Sequence, residues 1–147
     1  MLRIHIAAVG KVKERGLRTA VDDYKKRIQR YARCDEHELK DAPTPELTER
    51  FRRLIPERSR TVALEVEGKR WSSERLARFV GDAEGGSVSH LVFLIGGSYG
   101  LPAPVRALAD EELSLSALTL PHRLARLVLA EQIYRAFTIL RNEPYSH

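Results

Sequence analysis

The sequence predicts an α/β domain with a mostly parallel sheet flanked by helices. Two patterns carry this prediction. Short apolar segments alternate with segments of helical periodicity along the chain, and residues 91–95 (LVFLI) form an apolar run that ends at glycine. A run of this kind is typical of a strand that is covered on both faces, as parallel strands are. Because the chain has 147 residues and shows neither an internal repeat nor a linker, we expect one domain over residues 1–147.

The composition excludes some classes of protein. Hydrophobic residues make up 43% of the chain, charged residues 31%, and the net charge is +5. No apolar run approaches the roughly 18 residues of a membrane helix, so we expect no membrane partner. The single cysteine, Cys34, favours a reducing cytoplasm, and the start of the chain has no signal-peptide pattern. The positive charge suits a polyanion such as RNA, but solubility alone explains it equally well.

The first half of the chain predicts two strands and two helices. Residues 2–9 alternate as a strand that ends at Gly10, and residues 33–39 form a more polar strand. Between them, helical spacing begins at Leu17 and leaves a basic opposite face, either solvated or in contact with nucleic acid. Residues 44–54 predict a helix in which Thr44 is the cap and Pro45 occupies the first turn.

The second half predicts three strands and three helices. A strand over residues 61–66 ends at Gly68, and Ser72 or Ser73 caps the following helix, which Gly85 and Gly86 stop. The apolar strand at 91–95 comes next, then a short helix opened by Pro102. The last strand is expected at residues 115–120, and a long helix follows Pro121.

Two segments of this second half predict a small-molecule site. Residues 96–100 (GGSYG) follow the apolar strand, and ligands of open α/β sheets bind just outside the carboxyl ends of strands. Glycine also lets a ligand approach the backbone, although a tight structural turn explains the pattern as well. The loop is neither a dinucleotide fingerprint nor a P-loop. Residues 113–120 alternate leucine with small hydroxyl residues, which fits an ordinary strand or a grip on a flat heterocycle such as adenine.

The last helix and the tail hold the remaining polar candidates. Glu131 precedes Arg135 by four residues, the favourable order for a helical ion pair, and we favour that structural role over catalysis. Arg123 and Arg126 lie near the helix start, where the dipole disfavours cations, and this indicates an anionic partner or simple solvation. Cys34 has no activating neighbour and is expected to be a buried bystander. No metal-ligand spacing occurs among the five histidines, so no metal is expected.

Six segments together carry a resemblance to a known family. They are residues 9–13 (VGKVK), 64–69 (LEVEGK), 93–101 (FLIGGSYGL), 113–116 (LSLS), 118–122 (LTLPH) and 131–136 (EQIYRA). In this order and over essentially the whole chain, they resemble the RlmH-type family of SPOUT-class methyltransferases. That family methylates N3 of a pseudouridine in large-subunit (23S) ribosomal RNA.

The resemblance implies a fold, a cofactor and partners. The fold would be an α/β domain with a deep trefoil knot in its carboxyl-terminal part, which general topology rules disfavour. The protein would act in the cytoplasm as a homodimer, each site completed by the partner, on ribosomal RNA in assembled ribosomes. Three backbone segments would hold S-adenosyl-methionine: Leu64, Gly96, and the run Leu115, Ser116, Ala117, Leu118, Thr119 and Leu120.

The tail would supply the catalytic residues. The imide nitrogen must lose its proton before it can attack a methyl group, and the candidate acceptors are Tyr145 and His147. Arg135 or Arg141 would stabilise the negative charge that develops on the base. Family members end in Pro-Tyr-His and a basic residue, whereas this chain ends in Pro-Tyr-Ser-His, so the role of His147 stays open.

Two other functions fit the same sequence. One is a ribosome- or RNA-binding module that uses the basic surface without catalysis and has no affinity for S-adenosyl-methionine. The other is a different nucleotide enzyme on a doubly wound sheet, although the missing glycine fingerprint argues against a dinucleotide. Most tails of this composition are simply frayed, which is the alternative to a catalytic role for the last residues.

Overall fold

A computed structural model describes residues 1–145 as five parallel strands with helices on both faces. The strands are β1 (Arg3–Val9), β2 (Arg33–Leu39), β3 (Ser59–Arg70), β4 (His90–Ile95) and β5 (Glu111–Ser114). The helices are α1 (Arg15–Ile28), α2 (Thr44–Leu54), α3 (Ser73–Asp82), α4 (Ala103–Arg106) and α5 (His122–Leu140), and a π-helical turn, Ala83–Ser87, follows α3. The predicted α/β architecture is confirmed.

The strand order in the sheet is β2-β1-β4-β3-β5, and every neighbouring pair is parallel. After β3 the chain adds β4 on one side of β3 and then crosses back to add β5 on its other side. Order reversals of this kind open a crevice at the carboxyl ends of the strands. The topology therefore places the ends of β3, β4 and β5 around a common space.

The sheet is covered unequally on its two faces. Helices α1, α3 and α5 pack on one face, where Ile6, Phe93 and Phe137 are fully buried. Helices α2 and α4 cover part of the other face, with Phe51 and Val92 in that smaller core. Strand β4 is buried on both faces, and this explains its uninterrupted apolar sequence, as predicted.

The polar strand β2 matches its predicted bounds, residues 33–39. It is an edge strand, and its register pairs Ile4 with Cys34 and Ile6 with Glu36. Its polar character follows from its partners, because Glu36 and Glu38 bind arginine side chains of α1 and α5. A strand with charged partners on a neighbouring helix needs no apolar alternation.

The prediction of a strand at residues 115–120 is wrong. The last strand is β5, and it ends at Ser114. The Ser114 hydroxyl donates to the carbonyl of Ser116 at 2.9 Å, and the Leu118 N–H donates to the Ser116 hydroxyl at 2.9 Å. These local side-chain bonds compete with ladder formation and turn the chain into a loop.

Strand β3 is longer than predicted, because it continues past Gly68 to Arg70. Leu64 and Lys69 both pair with Leu113, so residues 65–68 bulge out of the ladder between them. The hydrophobic pattern of residues 61–66 does not reveal that the strand resumes after the bulge.

Of the two predicted helix caps, the one on α3 is confirmed and the one on α2 is wrong. The N-cap of α2 is Pro43 and Thr44 is the first helical residue, so the predicted Thr44 cap is wrong. Ser72 caps α3, because its hydroxyl accepts from the Arg75 N–H at 3.1 Å. Gly86 lies in the π-helical turn with φ at 102°, where the expected stop occurs. Within residues 1–145, none of the helices has the length and apolar character needed to span a membrane.

Candidate functional site

A cleft of about 690 Å³ lies outside the carboxyl ends of β3, β4 and β5. Its walls are residues 64–66 of the β3 bulge, residues 95–100 of the glycine loop, and residues 113–116 and 118–120 after β5, with the start of α5 closing one side. Small-molecule sites of proteins fall between roughly 300 and 1,000 Å³. The two segments that the sequence singled out therefore meet in a cavity large enough for a nucleoside.

The glycine loop is shaped by a close crossing of the chain with itself. A Cβ atom on Gly96 would lie 2.2 Å from the carbonyl carbon of Gly100 and 2.6 Å from the nitrogen of Leu101. Gly100 has φ at +76°, and its N–H donates to the carbonyl of Gly97 at 3.0 Å. Glycine is required at position 96 by this backbone contact, which favours the structural turn among the two explanations that the sequence left open.

The loop after β5 offers peptide groups to the cleft. Outside the helices and strand ladders, no backbone–backbone hydrogen bond involves Thr119 or Leu120 within the described part of the chain. These peptide groups line a partly apolar cavity, where unpaired N–H and C=O groups seek hydrogen-bonding partners. Such an arrangement suits the ring nitrogens and amino group of a flat heterocycle.

All but one of the predicted cofactor-binding residues line this cleft. The exception is Ala117, which is exposed and absent from the lining. The residues at the cleft are Leu64, Gly96, Leu115, Ser116, Leu118, Thr119 and Leu120. Lining residues outside the predicted cofactor set include Glu65, Val66, Tyr99, His122 and Arg123. Glu65 and Val66 reach the cleft because Leu64 and Lys69 both pair with Leu113, which makes residues 65–68 bulge out of the ladder.

The arginines at the start of α5 are neutralised by carboxylates of the same chain. Arg123 pairs with Glu14 at 3.2 Å. Arg126 has an exposed fraction of only 1%, pairs with Glu36 at 2.7 Å and with Glu38, and donates to the carbonyl of Gly10 at 3.0 Å. The external anionic partner that the sequence indicated is therefore not needed to explain these two cations.

The carboxylate of Glu36 forms ion pairs with side chains of two helices, α1 and α5. Arg18 and Lys25 of α1 reach it at 2.5 and 3.2 Å, so part of the basic face of α1 points to the sheet edge. Burial by itself raises the pKa of Glu36, but hydrogen bonds from Arg18 and Arg126 outweigh it and leave that pKa below its ordinary value. The pKa of His122, at the cleft, is lowered by burial and by the nearby Arg123 and Arg126.

Tyr145 of the tail packs against α1 and α5, away from the cleft. Its hydroxyl donates to the Glu131 carboxylate at 2.9 Å and lies 3.2 Å from the Tyr24 hydroxyl, while its ring meets Tyr134 edge-on at 4.7 Å. Arg135 pairs with Glu131 at 2.7 Å, as predicted, and its guanidinium lies 4.9 Å from the centre of the Tyr145 ring. We call these five residues the tail cluster.

The surroundings of Tyr145 hold its proton in place. Burial raises the pKa of the phenol, and the hydrogen bonds with Tyr24 and Glu131 raise it further. A phenol that keeps its own proton does not accept another, so Tyr145 acts as a base only if its surroundings change.

The candidate catalytic residues within residues 1–145 do not line the cleft of their own chain. Arg135 and Tyr145 lie in the tail cluster, and Arg141 binds both oxygens of Glu84 at 2.9 and 2.8 Å. Glu131 follows Ala125, the last cleft residue of α5, by six positions, which is about 9 Å along a helix. His147, the fourth candidate, lies outside the described residues.

Cys34 is 3% exposed, and burial raises the pKa of its thiol to about 12, which confirms the interpretation as a buried bystander. Within the described residues 1–145, no three ligating side chains converge to hold a metal ion.

Comparison with known proteins assigns the family. The family model described as "Predicted SPOUT methyltransferase" matches residues 2–147. The chain belongs to the SPOUT methyltransferase family. Membership implies the knotted form of the α/β fold, so the fold class predicted from the sequence is confirmed, and the chain is a methyltransferase.

Curated relatives of this SPOUT methyltransferase share its full length. A "Ribosomal RNA large subunit methyltransferase H" of Sorangium cellulosum (strain So ce56) is 49% identical over 146 residues, covering 99% of this chain and 100% of the relative. Proteins of the same name from Bifidobacterium animalis subsp. lactis (strain AD011) and Geobacter metallireducens are 43% and 40% identical. These two alignments cover 98% and 99% of this chain, and 99% of each relative.

Proposed function

We propose that this SPOUT methyltransferase uses S-adenosyl-methionine to methylate N3 of a pseudouridine in large-subunit ribosomal RNA, on assembled ribosomes. The observation that carries the proposal is the cleft in which the glycine loop, the β3 bulge and the loop after β5 meet. Relatives named for methylation of large-subunit ribosomal RNA support the substrate class. A substrate on ribosomes would place the protein in the cytoplasm.

The residues at the cleft fit the proposed cofactor. The peptide groups of Thr119 and Leu120 have no backbone hydrogen bond outside helices and strand ladders within residues 1–145 and can recognise an adenine edge. Leu64 and Leu120 supply apolar surface for a flat ring, and the volume of about 690 Å³ accommodates a nucleoside with a methionine chain. When bound, S-adenosyl-methionine supplies an electrophilic methyl group on a sulfonium, and the sulfur leaves as part of a neutral thioether once the methyl group is transferred.

The main contribution of the protein is alignment. Gly96 and Gly100 hold the glycine loop in one conformation through their backbone crossing, and the Ser114–Ser116–Leu118 bonds fix the opposite wall. Rigid walls of this kind keep an attacking nitrogen in line with the methyl carbon and its leaving group. Orientation of two reactants can account for several kcal/mol of a reaction barrier.

We propose a homodimer in which the tail of one protomer completes the cleft of its partner. The support is geometric, because Arg135, Arg141 and Tyr145 lie beside the far half of α5 and leave the cleft of their own chain without them. Residues 1–145 form one sheet with its helices, and a composite site between two protomers enlarges the surface that can hold RNA.

The proposed roles of the tail residues differ in what they require. Accepting the N3 proton falls to Tyr145 or His147, and in the described conformation the phenol of Tyr145 is bound to Glu131. Arg135 lies over the Tyr145 ring and is the better placed of the two arginines to stabilise negative charge beside it. Arg141 would have to release Glu84 to do so.

Two measurements test the proposed function. Calorimetry should detect binding of S-adenosyl-methionine and S-adenosyl-homocysteine but not NAD. Ribosomes lacking the modification should then accept a labelled methyl group from the cofactor, and mass spectrometry of the nucleosides should identify N3-methyl-pseudouridine. Cofactor binding without transfer to ribosomes would refute the substrate, and no cofactor binding would leave the RNA-binding module as the better explanation.

The role of His147 has its own test. Replacement by alanine should lower kcat about 100-fold if the imidazole accepts the proton, since general-base catalysis contributes about 10²- to 10⁴-fold. The affinity for S-adenosyl-methionine should not change. Unaltered methyl transfer by His147→Ala would show that His147 is not the proton acceptor and would leave Tyr145 as the candidate.

A further inference from the structure

Tyr99 is the least contacted large side chain at the cleft. It is fully exposed, with a relative accessibility of 101%, although it belongs to the glycine loop that forms one wall. The loop holds its backbone firmly, because Gly97 and Gly100 pair across it and Gly96 crosses against Gly100 and Leu101. The molecule thus presents an aromatic ring on a rigid turn to solvent, which has a cost in exposed apolar surface.

The mouth of the cleft as a whole has exposed apolar surface. Val66 and Leu118, on the other two walls, are 46% and 76% exposed. Large exposed apolar side chains that gather in one place usually mark a binding surface. A ring that touches nothing in its own chain cannot wall the enclosed part of a cofactor pocket, so its partner comes from outside the cleft.

The charges at this edge of the sheet indicate a polyanion. The segment after β1 carries Lys11, Lys13 and Arg15, all exposed and without an ion-pair partner within residues 1–145. Arg106 and Arg123 add two further cations, which are balanced by Glu65 and Glu14. Because Val9 lies against Gly97, the basic segment and the glycine loop emerge side by side. Within residues 1–145, positive charge without an ion-pair partner therefore follows directly on the strand whose last residue, Val9, lies against the glycine loop that carries the exposed ring.

We propose that Tyr99 is a stacking platform for an unpaired nucleobase of the RNA substrate at the mouth of the cleft. The inference rests on the proposed function, because it assigns a recognition residue to the same site. Basic grooves that present aromatic rings are the common solution for holding single-stranded RNA, since every base has a face that can stack. The backbone phosphates face the basic segment while one base covers the ring.

Stacking predicts a specific kinetic signature. Loss of a stacked base costs binding by about 5- to 150-fold in alanine variants of other proteins. We expect Tyr99→Ala to raise the Kd for ribosomes and the KM for ribosomes about tenfold. The kcat at saturating ribosomes and the Kd for S-adenosyl-methionine should be unchanged. The variant should fold normally, because the ring makes no contact that its removal would break.

Four further variants separate stacking from bulk and from nonspecific loss. Tyr99→Phe and Tyr99→Trp keep a ring and should behave as the unmodified protein does, whereas Tyr99→Leu keeps apolar bulk and should resemble Tyr99→Ala. Ile139→Ala removes an exposed apolar side chain on α5, outside the cleft, and serves as the matched control. It should leave ribosome binding unchanged.

Each alternative has a distinct outcome. An unchanged ribosome Kd in Tyr99→Ala, or equal binding by the leucine and phenylalanine variants, would overturn the proposal. A weakened cofactor Kd would assign Tyr99 to the cofactor, and a changed oligomeric state in sedimentation would assign it to a contact between copies of the chain. Ribosome binding by the unmodified protein without methyl transfer would refute the proposed reaction but leave the comparison of Tyr99 variants intact. Absence of ribosome binding would refute both.

Discussion

The cleft and the tail cluster lie at different points along the same helix, and different chemical groups form them. The cleft meets the start of α5 and is formed largely by peptide groups, glycine and leucine. The tail cluster meets the middle of α5 and is formed by tyrosine hydroxyls, a carboxylate and a guanidinium. A site made of backbone can bind and orient a cofactor, whereas proton transfer needs titratable side chains. The structure separates these two tasks in space within one chain.

Helix α5 is anchored differently at these two ends. Near the cleft, the buried Arg126 ties it to β2 and to the turn after β1 through Glu36, Glu38 and the Gly10 carbonyl. Near the tail, apolar contacts of Ile133 and Phe137 hold it between α1 and α3. Ionic anchoring at the cleft end should therefore be the more fragile of the two, because a buried charge without its partner is costly.

The largest effect is expected for Arg126→Met. Loss of the guanidinium leaves Glu36 and Glu38 close together without their buried counterion, so we expect the free energy of unfolding to fall by about 3–5 kcal/mol. Urea denaturation of the purified protein measures it. Arg53→Met on the exposed side of α2 is the control and should change stability little. If Arg126→Met lowers the free energy of unfolding no more than Arg53→Met does, ionic anchoring of α5 is unimportant.

Gly96→Ala should damage the cleft while sparing the tail cluster. The new Cβ would lie 2.2 Å from backbone atoms of Gly100, so the turn must shift, at a cost of about 1–3 kcal/mol and at least about a tenfold loss of cofactor affinity. Calorimetry with S-adenosyl-methionine and a thermal melt measure the two quantities. Gly85→Ala, where a Cβ meets nothing within 4 Å, is the matched control. Equal cofactor affinity in both variants would contradict the importance of the crossing.

Tyr145→Phe tests the tail cluster without disturbing the cleft. The ring stays packed on Tyr134, but the hydroxyl that reaches Glu131 is lost, so kcat for methyl transfer should fall about 100-fold with cofactor affinity unchanged. Tyr24→Phe removes the hydroxyl that lies 3.2 Å from the Tyr145 hydroxyl and is the control, with a modest loss expected. If both variants retain full kcat, the tail cluster serves packing alone.

The smallest expected effect is a pH dependence that involves neither region. His5 lies 3.2 Å from His37 and 2.9 Å from His90, on the less covered face of the sheet. Burial, with the charges of His37 and His90, lowers the pKa of His5 below 6.5. The unfolded chain therefore takes up this proton at higher pH than the folded chain, and stability that is fully present above pH 6.5 is lost as the pH falls. Denaturation between pH 7.5 and about 5 should show a weaker pH dependence in His5→Gln. Identical profiles would contradict the assignment.

Part of the cleft could be predicted because its determinants are local in sequence. The apolar run 91–95, the glycines that follow it and the leucine–hydroxyl alternation after Leu113 each mark a segment without reference to the rest of the chain. Even so, the same alternation misled the assignment of a strand at 115–120. Hydroxyl side chains that bond to nearby backbone produce a loop from a pattern that also fits a strand.

The chain order of strands and helices, the parallel sheet and the position of the cleft were determined by the sequence alone, because hydrophobic period and turn residues act over a few positions. Tertiary structure alone decided that Arg126 is buried with Glu36 and Glu38, which lie 90 and 88 positions away, and that Gly96 serves a backbone crossing. It also decided that the tail rests beside α1, far from the cleft of its own chain. Contacts between distant segments depend on which surfaces meet after folding, and no local pattern contains that information.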